Sequence, residues 1–272
     1  MNVWIITVNY KKTDLIKKLI ISLENCKKIE NIKLLVADNE SNIKSEKKMN
    51  AIIGSSSLDI DLFTYDKNLF YWPAANETLK KKLNSLKKYP DWVMVCNNDI
   101  IFHEKNFFIN LKKYDIKKYH VIGPKILNQN KENLNPFKLN PLNQYEIFFW
   151  NLYFKSYMIS RLFNFLMKKF KSKKKNDLIN NSQEVYAVHG SAILFSKFFF
   201  KKNGFIDPEF RLFGEELTTA EIAKKIGCKI FYKPDLVVKH NEHSSVKNIN
   251  KKDLFYLARE SHRYFLNKYL KK

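Results

Sequence analysis

The chain has no glycine-rich phosphate loop. Its 272 residues hold only six glycines, and neither G-x-x-x-x-G-K-[ST] nor G-x-G-x-x-G occurs, which disfavours P-loop and dinucleotide chemistry. G-x-S-x-G is absent too, so the nucleophile elbow of a serine hydrolase is missing. The three cysteines, Cys26, Cys96 and Cys228, contain no C-x-x-C pair. Set far apart in apolar segments, they predict buried thiols in a reducing compartment, not a disulfide framework or a zinc site. No apolar run approaches the ~20 residues that cross a bilayer. Val3 to Val8 has no basic stretch before it, so the start of the chain does not read as a signal peptide. Acid is scarce as well. Against 49 Lys and Arg stand 27 Asp and Glu, a formal charge of +22. That balance predicts attraction to polyanions: nucleic acid, an anionic membrane surface or phosphorylated substrates.

What is present alternates. Val3 to Val8, Ile32 to Ala37, Ile60 to Tyr65, Trp92 to Cys96 and Val121 to Leu127 are short apolar runs of strand length. Between them, Leu15, Leu19, Ile20 and Leu23 keep helical spacing, Pro73 sits where a first-turn proline belongs, and Glu104 to Leu111 reads as a short helix. Alternating strands and helices predict a parallel α/β sheet. After Gln183 strands are predicted at Val185 to Val188, Ala192 to Phe195, Lys229 to Tyr232 and Leu236 to Lys239. A helix opens at Glu215-Glu216 and stops at Gly227, and a basic helix covers Leu254 to Leu270.

The alternation breaks between Asn128 and Gln183. Residues 145–170 are rich in aromatics, and from Ile147 to Asn176 there are eight Lys or Arg and no acid. This predicts an amphipathic helix or helix pair, either packed on the domain or lying on an anionic leaflet. The expected organisation is an α/β half over 1–127, a basic-aromatic insert over 128–184, a second half of the same domain over 185–250, and a C-terminal basic helix over 251–272.

Acids stand at three element ends. Asp38 follows the second strand, Asp99 closes the run Asp91-Trp-Val-Met-Val-Cys-Asn-Asn-Asp99, and Glu215-Glu216 open a helix. Each alone has a structural explanation, as a turn former or a helix-dipole partner. Together, beyond the strand ends of one sheet where ligands bind, they suggest a metal-diphosphate holder, a nucleoside reader and a general base. His240 and His243 form an H-x-x-H pair. With no cysteine or third histidine near in sequence, it suits one imidazole completing a magnesium or manganese sphere, or touching phosphate, better than zinc.

In this order along the chain, Ile5-Ile-Thr-Val-Asn-Tyr10, Val36-Ala-Asp-Asn-Glu-Ser41, Val95-Cys-Asn-Asn-Asp99, His189-Gly-Ser-Ala-Ile-Leu194, Gly204-Phe-Ile-Asp-Pro-Glu-Phe210, Phe213-Gly-Glu-Glu216 and Val238-Lys-His240 resemble the family 2 glycosyltransferases, and within them the bacterial rhamnosyltransferase-like branch of surface-polysaccharide synthesis. The resemblance implies a GT-A type α/β fold: a mostly parallel nucleotide-binding sheet flanked by helices, with a smaller mixed sheet on the acceptor side. It implies an inverting transfer from a nucleotide-diphospho-sugar, dTDP-rhamnose or a UDP-hexose, to a lipid-linked or growing glycan, with Mn2+ or Mg2+. It places Thr7, Asn9, Asp38, Asn68, Asn76, Asn97 and Asn98 at the donor, Asp99 and His240 at the metal, Glu216 as base and Glu215 beside it. The chain departs from the pattern in three places. Asn97 replaces the first Asp of D-x-D. Bulky Phe70, Tyr71 and Trp72 stand where a glycine is usual after Asn68. Glu216 stands where Asp is commoner. A helix N-terminus is expected to keep Glu216 ionised.

The expected location is cytoplasmic, peripheral on the inner face of the plasma membrane. Two other classes remain open on these residues: a basic nucleic-acid-binding module, and a catalytically inactive membrane adaptor of the same fold. Nucleic acid is not the expected partner, because binding it would not explain Asp38, Asp99 and Glu216.

Overall fold

The computed structural model describes residues 1–27, 31–169, 181–241 and 249–271. In chain order the strands are β1 (Val3–Tyr10), β2 (Ile32–Asn39), β3 (Asp59–Tyr65), β4 (Trp92–Asn97), β5 (Ile100–Ile101), β6 (Val121–Leu127), β7 (Gln183–Val185), β8 (Ala192–Ser196) and β9 (Ile230–His240). The helices are α1 (Thr13–Glu24), α2 (Ile43–Gly54), α3 (Tyr71–Leu86), α4 (Phe107–Leu111), α5 (Gln144–Tyr153), α6 (Tyr157–Lys169), α7 (Lys197–Lys201), α8 (Glu215–Lys225) and α9 (Lys251–Phe265), which runs on into a π-helical turn at Leu266–Leu270.

One sheet carries all of these strands, in the order β3-β2-β1-β4-β8-β6-β9-β5, with β7 also pairing β9. Strands β3, β2, β1 and β4 are mutually parallel. Strand β8 runs antiparallel to β4 and β6, while β6 and β9 are parallel to each other. The mixed acceptor-side part is therefore continuous with the parallel part through the β4–β8 ladder.

Successive side chains of a strand point to opposite faces, and the core divides accordingly. Trp4, Ile6, Val8, Val93, Val95, Ile193 and Phe195 pack on one face with Trp72, Ala75 and Leu79 of α3 and Ala220, Ile222 and Ala223 of α8. Val3, Ile5, Trp92, Met94, Cys96 and Leu194 pack on the other with Ile16, Leu19 and Leu23 of α1 and Phe107 and Phe108 of α4. Trp92 to Cys96 are all fully buried, so β4 is covered on both faces, as its unbroken apolar run predicts. At about 1.5–3 kcal/mol per large apolar side chain, truncating any of its large side chains would be costly. All three cysteines are buried and unpaired.

Several boundaries differ from expectation, each for a local reason. The strands expected at Lys229 to Tyr232 and Leu236 to Lys239 are one strand, β9. Pro234 sits where the β6–β9 register shifts between Pro124 and Lys125, so the proline occupies an irregularity instead of ending the strand. The strand expected over Val185 to Val188 stops at Val185, and Ala187 makes only an isolated bridge to Lys138. Helix α3 opens two residues before Pro73. Phe70 precedes it with φ +66° and ψ −177°, a conformation almost confined to glycine. The 145–170 segment is a helix pair, and Lys171 to Lys175 lie outside the described residues. Helix α2 was not anticipated: Met49 is its only buried residue, and an Asn42–Ser45 capping box starts it.

Candidate active site

The parallel strands deliver polar residues to one place because their registers align. Asn9 stands directly opposite Asp38 at the ends of β1 and β2, and its Nδ2 donates to Asp38 Oδ1 at 2.7 Å. Ser41 Oγ donates to Asp38 Oδ2 at 2.8 Å. Asn98, in the turn after β4, donates to Asn9 Oδ1 at 3.2 Å. These bonds tie three strand ends into one buried polar cluster. Next to it, Asn39 donates to Asn68 Oδ1 at 3.3 Å and to the Phe70 carbonyl at 3.1 Å. Asn68 in turn accepts from Phe70 N at 2.8 Å, so both bonds hold Phe70 in its strained backbone.

Asp99 and His240 meet because β5 pairs antiparallel with the end of β9, with Ile100 opposite His240. His240 Nε2 lies 3.0 Å from Asp99 Oδ1 and 3.2 Å from Asn97 Nδ2. Among the described residues Asp99 Oδ1 nevertheless has no hydrogen bond. Nε2 has one in-plane lone pair, which either accepts from Asn97 Nδ2 or, with that amide turned aside, serves a cation beside Asp99 Oδ1. Two lone-pair atoms so placed fit neighbouring ligands of one cation, since ligands at right angles and about 2.1 Å from an octahedral ion stand about 3 Å apart. The donor set, one carboxylate oxygen and one imidazole, suits Mn2+ or Mg2+. No group of three His, Cys, Asp or Glu converges among the described residues, so water and donor oxygens would complete the sphere. His243 lies outside the described residues.

The acid pair opens α8 across the cleft. Glu216 Oε1 accepts from Gly190 N at 2.9 Å, and Glu215 Oε2 accepts from Gly214 N at 2.9 Å. Both acids are deeply set yet reached by solvent along one side. Burial pushes the Glu216 carboxyl up to about 8, and the charge of Glu215 adds to the rise. Burial raises Glu215 as well. The helix terminus therefore does not keep Glu216 an ordinary ionised carboxylate, as the sequence implied; loss of hydration outweighs the dipole.

The sequence did not single out Tyr71 or the functional part of Gly190. Tyr71 donates to the Gly190 carbonyl at 3.0 Å, so one residue, Gly190, links Tyr71 to Glu216. Burial raises the Tyr71 phenol well above its ordinary range, and Glu215, Glu216 and Asp99 lie near enough to add to that. A Cβ on Gly190 would lie 2.1 Å from Glu215 Cγ, so only glycine fits. In a chain with six glycines, the Gly between His189 and Ser191 was the available signal.

Of the remaining expected donor residues, Thr7 lies two residues before Asn9 on β1 and, like Asn9 and Asp38, is buried. Asn76, with its amide set to meet complementary partners, donates to the Ile206 carbonyl at 3.0 Å and accepts from Lys80 Nζ at 3.3 Å, a packing role. A separate groove of about 510 Å³ between α1 and β5, lined by Lys18, Asn25, Phe102 and His103 among others, contains none of the site residues.

No family model matches the chain, and no curated protein matches it in sequence. Solved structures do match in fold. The mannosyltransferase PcManGT of Pyrobaculum calidifontis, in complex with GDP-Man and Mn2+, superposes with TM-score 0.58 at 13% identity, over 96% of this chain and 61% of that one. The fold is GT-A. S. aureus TarS 1-349 gives 0.55 at 11% identity over 98% of this chain and 72% of its own. GalNAc-T7 with UDP, GalNAc and Mn2+ gives 0.54 at 14% over 90% and 44%. The chain thus spans about three fifths of the mannosyltransferase. Within the GT-A sheet, Asp38 is the penultimate residue of β2, Asp99 lies in the turn after β4, and Glu215-Glu216 open α8.

Proposed function

We propose that the chain is an inverting glycosyltransferase. It moves a sugar from a nucleotide-diphospho-sugar, dTDP-rhamnose or a UDP-hexose, to a hydroxyl of a lipid-linked or growing surface glycan. The observation that carries this reading is Glu216: a carboxyl raised to about 8, fixed by Gly190 N, in the same cleft as Asp99, His240 and Asp38. A general base works best when its pKa lies near the working pH.

In this scheme Asp38, held by Asn9 and Ser41, accepts from the nucleoside of the donor. Asn98 and Asn97 line the donor's path, and Asp99 with His240 holds the cation. When bound, that cation supplies positive charge to the departing diphosphate. Glu216 takes the acceptor hydroxyl proton as the oxygen–carbon bond forms, and the electron pair of the breaking glycosyl–phosphate bond leaves with the nucleotide. No acid needs to protonate the leaving group, unlike in a glycoside hydrolase. A thermal-shift screen of UDP-, dTDP- and GDP-sugars with and without Mn2+ tests the reading. Stabilisation of about 2.7 kcal/mol is expected at ligand one hundred times over Kd. No stabilisation by any of them, with salt-dependent RNA or DNA binding instead, would favour the nucleic-acid alternative.

The location proposed is the cytoplasmic membrane surface. Among the described residues no helix is long and apolar enough to cross a membrane. The α5–α6 pair does turn apolar side chains outward: Tyr145 is 86% exposed, Phe148 71% and Met158 81%. With the surrounding lysines and arginines this supports an interfacial face. Flotation with phosphatidylglycerol vesicles, and its loss on Phe148→Ser with Leu162→Ser, is the expected result. Equal flotation of both proteins would overturn this location.

A further inference from the structure

Asp207 is a fully buried carboxylate, and four groups converge on it. Tyr264 donates to both its oxygens, at 2.9 and 2.8 Å. Lys268 Nζ lies 3.2 Å away, the Tyr269 hydroxyl donates to it as well, and Glu209 N donates at 3.1 Å. Tyr264 belongs to α9, and Lys268 and Tyr269 to the π turn that continues it. A second tie lies five residues on, where Ser261 Oγ of α9 donates to the Leu212 carbonyl at 2.5 Å.

Both ties grip one short segment. Residues 207–214 run from Asp207 to Gly214, the residue before α8, and Glu216 lies in the first turn of α8. The segment has little slack. Phe210 is buried and its ring lies 3.2 Å from where a Cβ on Gly214 would be. Thr218 Oγ1 returns to the Gly214 carbonyl at 2.7 Å. A buried carboxylate is an expensive way to fasten a helix, since an apolar contact of the same shape gives equal or better stability. What it adds is direction: hydrogen bonds fix position along lines that packing leaves free.

We propose that Asp207 is a positioning residue, through which the C-terminal helix sets the 207–214 segment so that Glu216 meets the Gly190 peptide. The proposal rests on the reading of Glu216 as general base. It makes the C-terminal segment part of the catalytic apparatus.

The test is the double variant Tyr264→Phe/Tyr269→Phe, which keeps both rings and removes both phenol donors, alongside Asp207→Asn. With the double variant kcat falls about tenfold to a hundredfold, the cost of a displaced reacting group, while the donor KM is unchanged. Carbon-13 NMR of the Glu216 carboxyl then shows its titration moving down toward the ordinary range. Hydrogen exchange speeds up at 207–214 and at Gly190 while β1 and β4 stay protected. Unchanged kcat together with an unchanged Glu216 titration overturns the proposal. If Asp207→Asn fails to fold, the double variant still decides. If the wild type transfers no sugar, the function reading fails by itself, and titration with exchange still reports on the positioning contact.

Discussion

At the end of β2, Asp38 gives one carboxylate oxygen to Asn9 and the other to Ser41. At the start of α8, Glu216 receives a single backbone N–H, from Gly190, and has a second carboxylate as its neighbour. The two acids are held in different ways. Asp38 is satisfied, and so its position is fixed before any ligand arrives, as suits a group that recognises. Glu216 is deprived of water and crowded by Glu215, which raises its affinity for a proton. That is what a group needs if it must first lose a proton and then collect one from the substrate. In the proposed scheme the acid saturated with hydrogen bonds is the reader, and the acid with the raised pKa is the base.

The sharpest way to break this contrast is Glu216→Gln. Transfer is expected to fall about 10²- to 10⁴-fold with donor binding retained, measured by product formation and by calorimetry. Surviving transfer would move the base elsewhere. Next in size is Asp99→Asn. The Mn2+-dependent part of the donor's stabilisation, about 2.7 kcal/mol at one hundred times Kd, should vanish from the melting curve, while any metal-independent nucleotide binding through Asp38 remains. A third test uses pH. Glu216 is raised from 4.5 to about 8, so over that window the folded chain keeps a proton that the unfolded chain has lost. Stability is therefore greatest below about pH 4.5 as far as this group is concerned, and it declines as pH rises through about 8. Denaturant titrations should show this decline flattened in Glu216→Gln, and kcat/KM of the wild type should rise over the same range. The smallest effect concerns the reader's side. Phe70→Gly should be more stable than Phe70→Ala by about 1 kcal/mol, because glycine relieves the positive φ and alanine does not. Equal midpoints would mean that the loop relaxes.

The sheet was largely legible. Trp92 to Cys96 announced a strand covered on both faces, and the acids at strand ends announced the cleft. Elements built from few apolar residues were not. Strand β5 has two residues, too few for any period to show. Helix α2 buries one side chain, so its sequence looks like solvated surface. Pro234 reads as a strand breaker until β6 is seen to tolerate the irregularity beside it. In the site, the Asn9–Asp38 pair and the Asp99–His240 pair form through strand register, and Glu216 meets Gly190 from α8. Asn76 is engaged elsewhere, fastening α3 to the 204–206 turn. Tyr71 could not be found from spacing, since its partner is a backbone carbonyl 119 residues away. The sign of the Glu216 shift was also out of reach, because it depends on burial that only the folded cleft creates.

The junction of β4 with β8 has a consequence for synthesis. The parallel strands β1 to β4 lie within the first 97 residues, whereas the strand that covers the other edge of β4 ends at Ser196. At about 5–20 residues per second, that edge of a wholly apolar strand stays open on the ribosome for roughly 5 to 20 s. Limited proteolysis of stalled chains should find β4 protected only once β8 has cleared the exit tunnel. Chain order also separates the parts of the cleft in time. Asp38 and Asp99 are made early, and Glu216 and His240 only near the end. In the proposed scheme, a product stopped before α8 would carry the donor-side acids without the base.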